Sequence, residues 1–155
     1  MLKNDYILKN DEYIFKSQAV DSYLSINTAG SVYIDAYISG LTEGTSINVF
    51  YKTPTATIKR TCSNSGSAYF SFPATNETSY KSIYFCGDLD SITCIQPRTQ
   101  CVDGKYTGDF VGFINQFPNL TSINMGCREF DFNQDISYSE IPRNVTSFYL
   151  YDCGI

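Results

Sequence analysis

A chain of 155 residues with 43% hydrophobic, 15% aromatic and only 17% charged residues is long enough to bury one substantial core and is poorer in charge than an average domain. Its net charge of −5 argues against the basic patch that phosphate binding needs, so nucleic acid is not an expected partner. The absence of histidine excludes Ser-His-Asp and Cys-His nucleophile systems and any histidine metal centre. Thirteen Tyr and eleven Phe with no Trp suit a pleated, half-buried surface, so β-structure is expected and helix is expected to be scarce.

In chain order, residues 1–22 carry the small apolar clusters Tyr6-Ile7 and Tyr13-Ile14-Phe15 among Lys, Asp and Asn. That pattern fits a leading strand or a short helix, and we read it as irregular. From Tyr23 the rhythm is clear: Leu24 and Ile26, a turn at Asn27-Thr28-Ala29-Gly30, then Val32, Ile34, Ala36 and Ile38 alternating with Tyr33, Asp35 and Tyr37. Further short strands are expected at Ile47–Tyr51, Thr57–Cys62, Ala68–Phe72 and Ser82–Cys86, with turn residues between them, which suggests an antiparallel sandwich. Cys94 to Gly108 reads as a cysteine-clipped junction broken by Pro97, Gly104 and Gly108. Phe110–Ile114 is apolar without alternation and suits a short helix or a buried connection.

The last third holds an internal repeat. Phe117-Pro118-Asn119-Leu120-Thr121-Ser122-Ile123-Asn124-Met125 is echoed by Ile141-Pro142-Arg143-Asn144-Val145-Thr146-Ser147-Phe148-Tyr149-Leu150, with Leu120 and Val145 25 residues apart. This spacing lies inside the period of about 20 to 29 residues of leucine-rich repeats. There, apolar residues at positions 1, 4, 6 and 11 share a core. Val145, Phe148, Leu150 and Ile155 take those places with Cys153 at the ninth, and Leu120, Ile123, Met125 and Phe130 match them with Arg128 at the ninth and Cys127 one early. Such strands would stack in parallel, placing Cys127 and Cys153 on adjacent rungs. Two other readings stay open: a pair of edge strands of the sandwich, and a register in which the Ile83 and Phe85 strand is an early rung. Two repeats fall short of the three or so a solenoid needs, and Ile155 is an apolar rung position, so the chain reads as the N-terminal part of something longer.

The cysteines, at 62, 86, 94, 101, 127 and 153, form an even set with no C-x-x-C pair. Disulfides Cys62–Cys86 and Cys94–Cys101 are expected, although six cysteines permit 15 connectivities. Three sequons, at Asn76, Asn119 and Asn144, point to the same extracellular compartment. No run spans a bilayer and Met1-Leu2-Lys3-Asn4-Asp5-Tyr6 lacks the apolar core of a secretory signal.

Little in the chain carries catalytic chemistry. Asp103-Gly104-Lys105-Tyr106-Thr107-Gly108-Asp109 looks like a calcium loop but puts Lys105 at a ligand position and Ile114 at the twelfth, so an ordinary turn is the better reading. Asp88 and Asp90 would share a strand face, and Asp131 could meet Asp135 or Glu140, leaving a carboxylate pair as the one catalytic device open. The tyrosines at 33, 37, 51, 84, 149 and 151 are candidates for sugar stacking or interface anchoring, or for cross-strand aromatic pairs.

The two repeats, with their Ile-Pro-x-x-Val-Thr-Ser opening and Cys-Gly-Ile ending, resemble those of large cell-surface proteins of social amoebae that combine leucine-rich, EGF-like and IPT/TIG modules. The resemblance implies cell-surface recognition or adhesion and brings no catalytic residue with it. The expected fold is therefore mainly β: an irregular segment 1–22, an antiparallel sandwich-like module 23–108 and leucine-rich-repeat rungs 109–155. The expected function is a non-catalytic, extracellular or cell-surface module without cofactor or metal. It would bind a protein or glycan through Tyr33, Tyr37, Tyr51, Tyr149 and Tyr151, with membrane attachment only through an anchor this chain lacks. The alternative is a lectin-like or glycosidase sandwich using Asp88 and Asp90 with the surface tyrosines.

Overall fold

The computed structural model describes residues 6–9, 12–15, 24–75, 80–99, 105–124 and 134–149. The chain is mainly β, and the described residues form two five-stranded sheets, a two-stranded sheet and one short helix. Strands β1 (Tyr6–Lys9) and β2 (Glu12–Phe15) pair antiparallel, Tyr6 opposite Phe15 and Lys9 opposite Glu12. The irregular reading of 1–22 is thus corrected at residues 6–9 and 12–15, and the rest of that segment lies outside the described residues. Two apolar runs separated by Asn10 and Asp11 have the spacing of a two-residue hairpin, and that local signal outweighs the polar dilution around it.

The first large sheet is antiparallel throughout, in the order β10 (Lys105–Gly108), β3 (Leu24–Asn27), β8 (Tyr80–Gly87), β5 (Ile47–Lys52), β6 (Thr57–Cys62). The second runs β12 (Ser147–Tyr149), β11 (Ser122–Asn124), β9 (Ile92–Thr99), β4 (Val32–Ile38), β7 (Gly66–Phe72). The period of two decides which side chains meet between the sheets. Val32, Ile34, Ala36 and Ile38 of β4 are buried, as are Ala68, Phe70 and Phe72 of β7 and Ile47, Val49 and Tyr51 of β5. Each fully buried Ile, Val or Phe contributes about 1.5–3 kcal/mol of hydrophobic stabilisation.

β9 and β10 correct the expected junction at Cys94 to Gly108. Pro97 sits buried within β9, opposite Ile34 of β4. It is tolerated because, among the described residues, β11 pairs with β9 at Cys94 and Ile95 and no strand pairs opposite Pro97 on the side where the missing N–H would point. Helix α1 (Phe110–Ile114) follows, with the Asp109 carboxylate accepting from the Gly112 amide as its N-cap and Phe110, Phe113 and Ile114 buried. Phe113 and Phe117 then meet Phe85 of the first sheet at ring separations of 5.7 and 5.3 Å, tying the helix and the turn after it to the opposite layer.

The two repeat segments pair in parallel, Ser122 opposite Ser147, Ile123 opposite Phe148 and Asn124 opposite Tyr149. The strand before them in the ladder is β9, with Cys94 opposite Ser122 and Ile95 opposite Ile123. β8, which carries Ile83 and Phe85, belongs to the other sheet, so it is not the earlier rung. Ile92-Thr93-Cys94-Ile95 therefore stands above Leu120-Thr121-Ser122-Ile123 and Val145-Thr146-Ser147-Phe148. One core cluster runs from Leu24 to Ile123, so both the second sheet and the core continue across residues 108 and 109.

Candidate functional site

The alternation that buries Val32, Ile34 and Ala36 turns Tyr33, Asp35 and Tyr37 outward. Residues directly opposite on paired strands share a face, so the register names the neighbours. Tyr33 lies opposite Ser71 and Arg98, Asp35 opposite Tyr69 and Gln96, and Tyr37 opposite Ser67 and Cys94. The Tyr37 row continues through Ser122 to Ser147, and Asn124 with Tyr149 extends the face over the parallel strands.

Within this face, Tyr33 and Tyr69 are stacked, with ring centroids 5.4 Å apart and planes 17° from parallel. Asp35 and Arg98 form an ion pair beside them. A shallow groove of about 280 Å³ is lined by Asp35, Tyr37, Ser67, Tyr69, Cys94 and Gln96. Tyr69, Tyr37 and Tyr149 are 58%, 51% and 53% exposed. Desolvation, then the Tyr33 phenol and the Asp35 carboxylate, push the Tyr69 phenol above its ordinary pKa, against the opposing pull of the Arg98 guanidinium and the Ser71 hydroxyl. The arrangement offers a flat aromatic platform, a charge pair whose net charge cancels, an amide and several hydroxyls. It can hold a polar ligand by stacking and hydrogen bonds.

Of the tyrosines expected to bind ligand, Tyr33, Tyr37 and Tyr149 lie on this face. Tyr51 does not. It is fully buried and stacks on Phe72 at 5.0 Å, because it is two residues on from Val49 and shares the inward phase of β5. That parity was readable in the sequence. Tyr84 pairs with Phe50 on the first sheet, and Tyr151 lies outside the described residues. Tyr69, Arg98 and Gln96 were missed; Tyr69 could have been found from its place between Ala68 and Phe70, whereas Arg98 and Gln96 were hidden once β9 was read as a junction.

The carboxylate pairs are corrected. β8 ends at Gly87, and Asp88 accepts from the Thr42 amide and the Thr45 hydroxyl, each at 3.2 Å. Asp90 lies in the 3-10 turn Leu89–Ser91 beyond it, so the two acids share no strand face. Glu140 caps the 3-10 turn Tyr138–Glu140 by accepting from the Ser137 amide at 2.7 Å, Asp135 is exposed, and Asp131 lies outside the described residues. Of the looked-for calcium loop, Lys105–Gly108 is β10 and Asp109 is the cap of α1; Asp103 and Gly104 lie outside the described residues.

The expected Cys62–Cys86 disulfide is absent. Cys62 lies opposite Ile47 and Cys86 opposite Asn48, on strands either side of β5. Their Cα atoms are thus separated by two strand spacings, about 9.6 Å, on opposite faces, beyond the reach of about 7 Å for a disulfide. Cys86 donates to the Asn48 carbonyl at 3.7 Å and Cys62 to the Asn64 carbonyl at 3.3 Å. Cys94 is a free thiol, while its expected partner Cys101, like Cys127 and Cys153, lies outside the described residues.

Sequon Asn76 also lies outside them. The other two sequons form a ladder. Asn119 Nδ2 donates to the Asp90 carbonyl at 2.8 Å and Asn144 Nδ2 to the Pro118 carbonyl at 3.1 Å. Thr121 Oγ1 donates to the Thr93 carbonyl at 3.0 Å and Thr146 Oγ1 to the Thr121 carbonyl at 3.4 Å. Each Asn-x-Thr therefore clamps its strand to the one before. Compared with known proteins, the chain matches no family model, no curated protein and no solved structure.

Proposed function

We propose that the protein is a non-catalytic recognition module of the extracellular or cell-surface kind, which holds a glycan or a protein ligand on the outer face of its second sheet. In this reading β9, β11 and β12 are leucine-rich-repeat-like rungs grafted onto an antiparallel sandwich. The observation that carries it is the stacked Tyr33–Tyr69 platform with the Asp35–Arg98 pair beside a groove. Aromatic stacking with hydrogen bonds to fixed polar groups is how a rigid sheet holds a sugar ring or an interface side chain. Of the acids that would support hydrolysis, Asp88 accepts from the Thr42 amide and the Thr45 hydroxyl, and Glu140 from the Ser137 amide.

A glycan array run beside a panel of glycosidase substrates tests the proposal. Binding without turnover is expected, reduced at least tenfold in Tyr69→Ala, whose ring is exposed and whose loss leaves the core intact. Turnover abolished by Asp88→Asn would overturn the reading, as would ligand binding that is indifferent to Tyr33→Ala and Tyr69→Ala together.

A further inference from the structure

The second sheet treats its two edges differently. At the β7 edge, Arg60 of β6 donates Nε to the Ser71 carbonyl at 2.9 Å, which covers part of the open strand with a charged side chain. At the other edge, β12 carries no such cover among the described residues. Its core-facing Phe148 is 39% exposed although it continues the row of Ile95 and Ile123, both fully buried. Phe148 meets the Phe110 ring at a centroid separation of 6.0 Å.

Among the described residues the ladder also ends at this edge. From strand to strand the Asn amide reaches the Asp90 and then the Pro118 carbonyl, and the Thr hydroxyl the Thr93 and then the Thr121 carbonyl. The corresponding carbonyls of the third strand are those of Arg143 and Thr146, and neither accepts a hydrogen bond among the described residues. A second copy of this chain cannot repeat the parallel contact with its own ladder, because the leading side of its β9 is already covered by β4.

We infer that the β12 edge is a docking site for an extended polypeptide segment carrying Asn-aliphatic-Thr-Ser, added in parallel. Its Asn would donate to the Arg143 carbonyl, its Thr to the Thr146 carbonyl, and the residue after its Ser would cover Phe148. The site is continuous with an interface the chain builds twice, and it is separate from the ligand face proposed above. Specificity resides in the two side chains, since the backbone ladder alone would accept any strand.

The test uses the full chain, isotope-labelled, titrated to millimolar concentration with the free peptide Ile-Pro-Arg-Asn-Val-Thr-Ser-Phe-Tyr-Leu and followed by NMR. Shift changes are expected over residues 143–149. Affinity should fall about thirtyfold when the peptide's Asn and Thr become Ala and Val together, the loss of two hydrogen bonds. Phe148→Glu, with its fold checked by far-UV circular dichroism, should abolish the shifts. The inference is overturned by no shift at millimolar peptide, by equal affinity of the Ala/Val peptide, or by shifts confined to Tyr33 and Tyr69. It is overturned equally by self-association of the chain that Phe148→Glu removes, which would give the edge to a second copy.

Discussion

Ile95, Ile123 and Phe148 form one row across three parallel strands, and truncating each in turn measures how far the core extends. Ile123→Ala removes three carbons from a fully buried site, about 2.4 kcal/mol of transfer free energy at about 0.8 kcal/mol per carbon. The cavity left between rigid neighbours raises the expected cost to about 3–4 kcal/mol. A fully buried Phe→Ala would cost about 3–5 kcal/mol, more than the isoleucine. Phe148 is 39% exposed, so about three-fifths of that applies, and relaxation at the edge brings Phe148→Ala to about 2 kcal/mol or less. The order expected from side-chain size is therefore inverted. Urea unfolding of the three variants with a common m-value checks it. If Phe148→Ala costs as much as Ile123→Ala, the third strand is covered like the second, and the open edge is wrong.

Gly87 adopts φ +105, and a Cβ there would stand 1.9 Å from the Ser46 carbonyl oxygen, so β5 and β8 must separate. Gly87→Ala is expected to cost about 3 kcal/mol or more, against about 1 kcal/mol for Gly44→Ala, which has φ +78 but open space around it; equal losses of thermal stability would refute the close approach. The Tyr69 phenol, held above its ordinary value by desolvation and by Tyr33 and Asp35, should titrate at lower pH in Asp35→Asn, because removing a neighbouring negative charge favours the phenolate. An NMR titration of labelled tyrosines that shows no fall would remove Asp35 from the groove's electrostatics.

The antiparallel part was legible because one signal dominates it. In Val32–Ile38 every other residue is apolar, and the buried face follows directly. The same parity places Tyr51 inside, in phase with Ile47 and Val49, although a tyrosine by residue class suits the outer face. β9 was obscured by Pro97, a residue that disfavours a central strand until one knows that β11 stops short of it. Its echo of the repeat, Ile92-Thr93-Cys94-Ile95, is four residues long and lacks the Pro and Asn that announce the other two. The proposed ligand face draws on Asp35, Tyr69 and Arg98, from strands far apart in sequence, and their proximity is a property of the strand order, which alternation alone does not specify. Cysteine spacing misled for the same reason: 62 and 86 flank turns in the sequence yet lie on either side of β5 in the sheet.

The ligand face and the open edge belong to one sheet, and this ties the two proposals together. Each parallel strand places one residue between its Thr and its core apolar side chain on the outer face, Cys94, then Ser122, then Ser147, and the next outward position brings Asn124 and Tyr149 side by side. The face therefore widens by one short row for each strand clamped on by an Asn and a Thr. A segment docked at β12 in the same register would set its own serine beside Ser147 and its next outward residue beside Tyr149, one strand spacing of about 4.8 Å away. The side chains that choose which segment docks point toward the preceding strand, whereas those that would meet a ligand point outward. Changing the ligand face at Tyr69 or Tyr149 thus leaves the clamp intact, and weakening the clamp at Asn144 should loosen Tyr149 while leaving the Tyr33–Tyr69 platform on β4 and β7 in place.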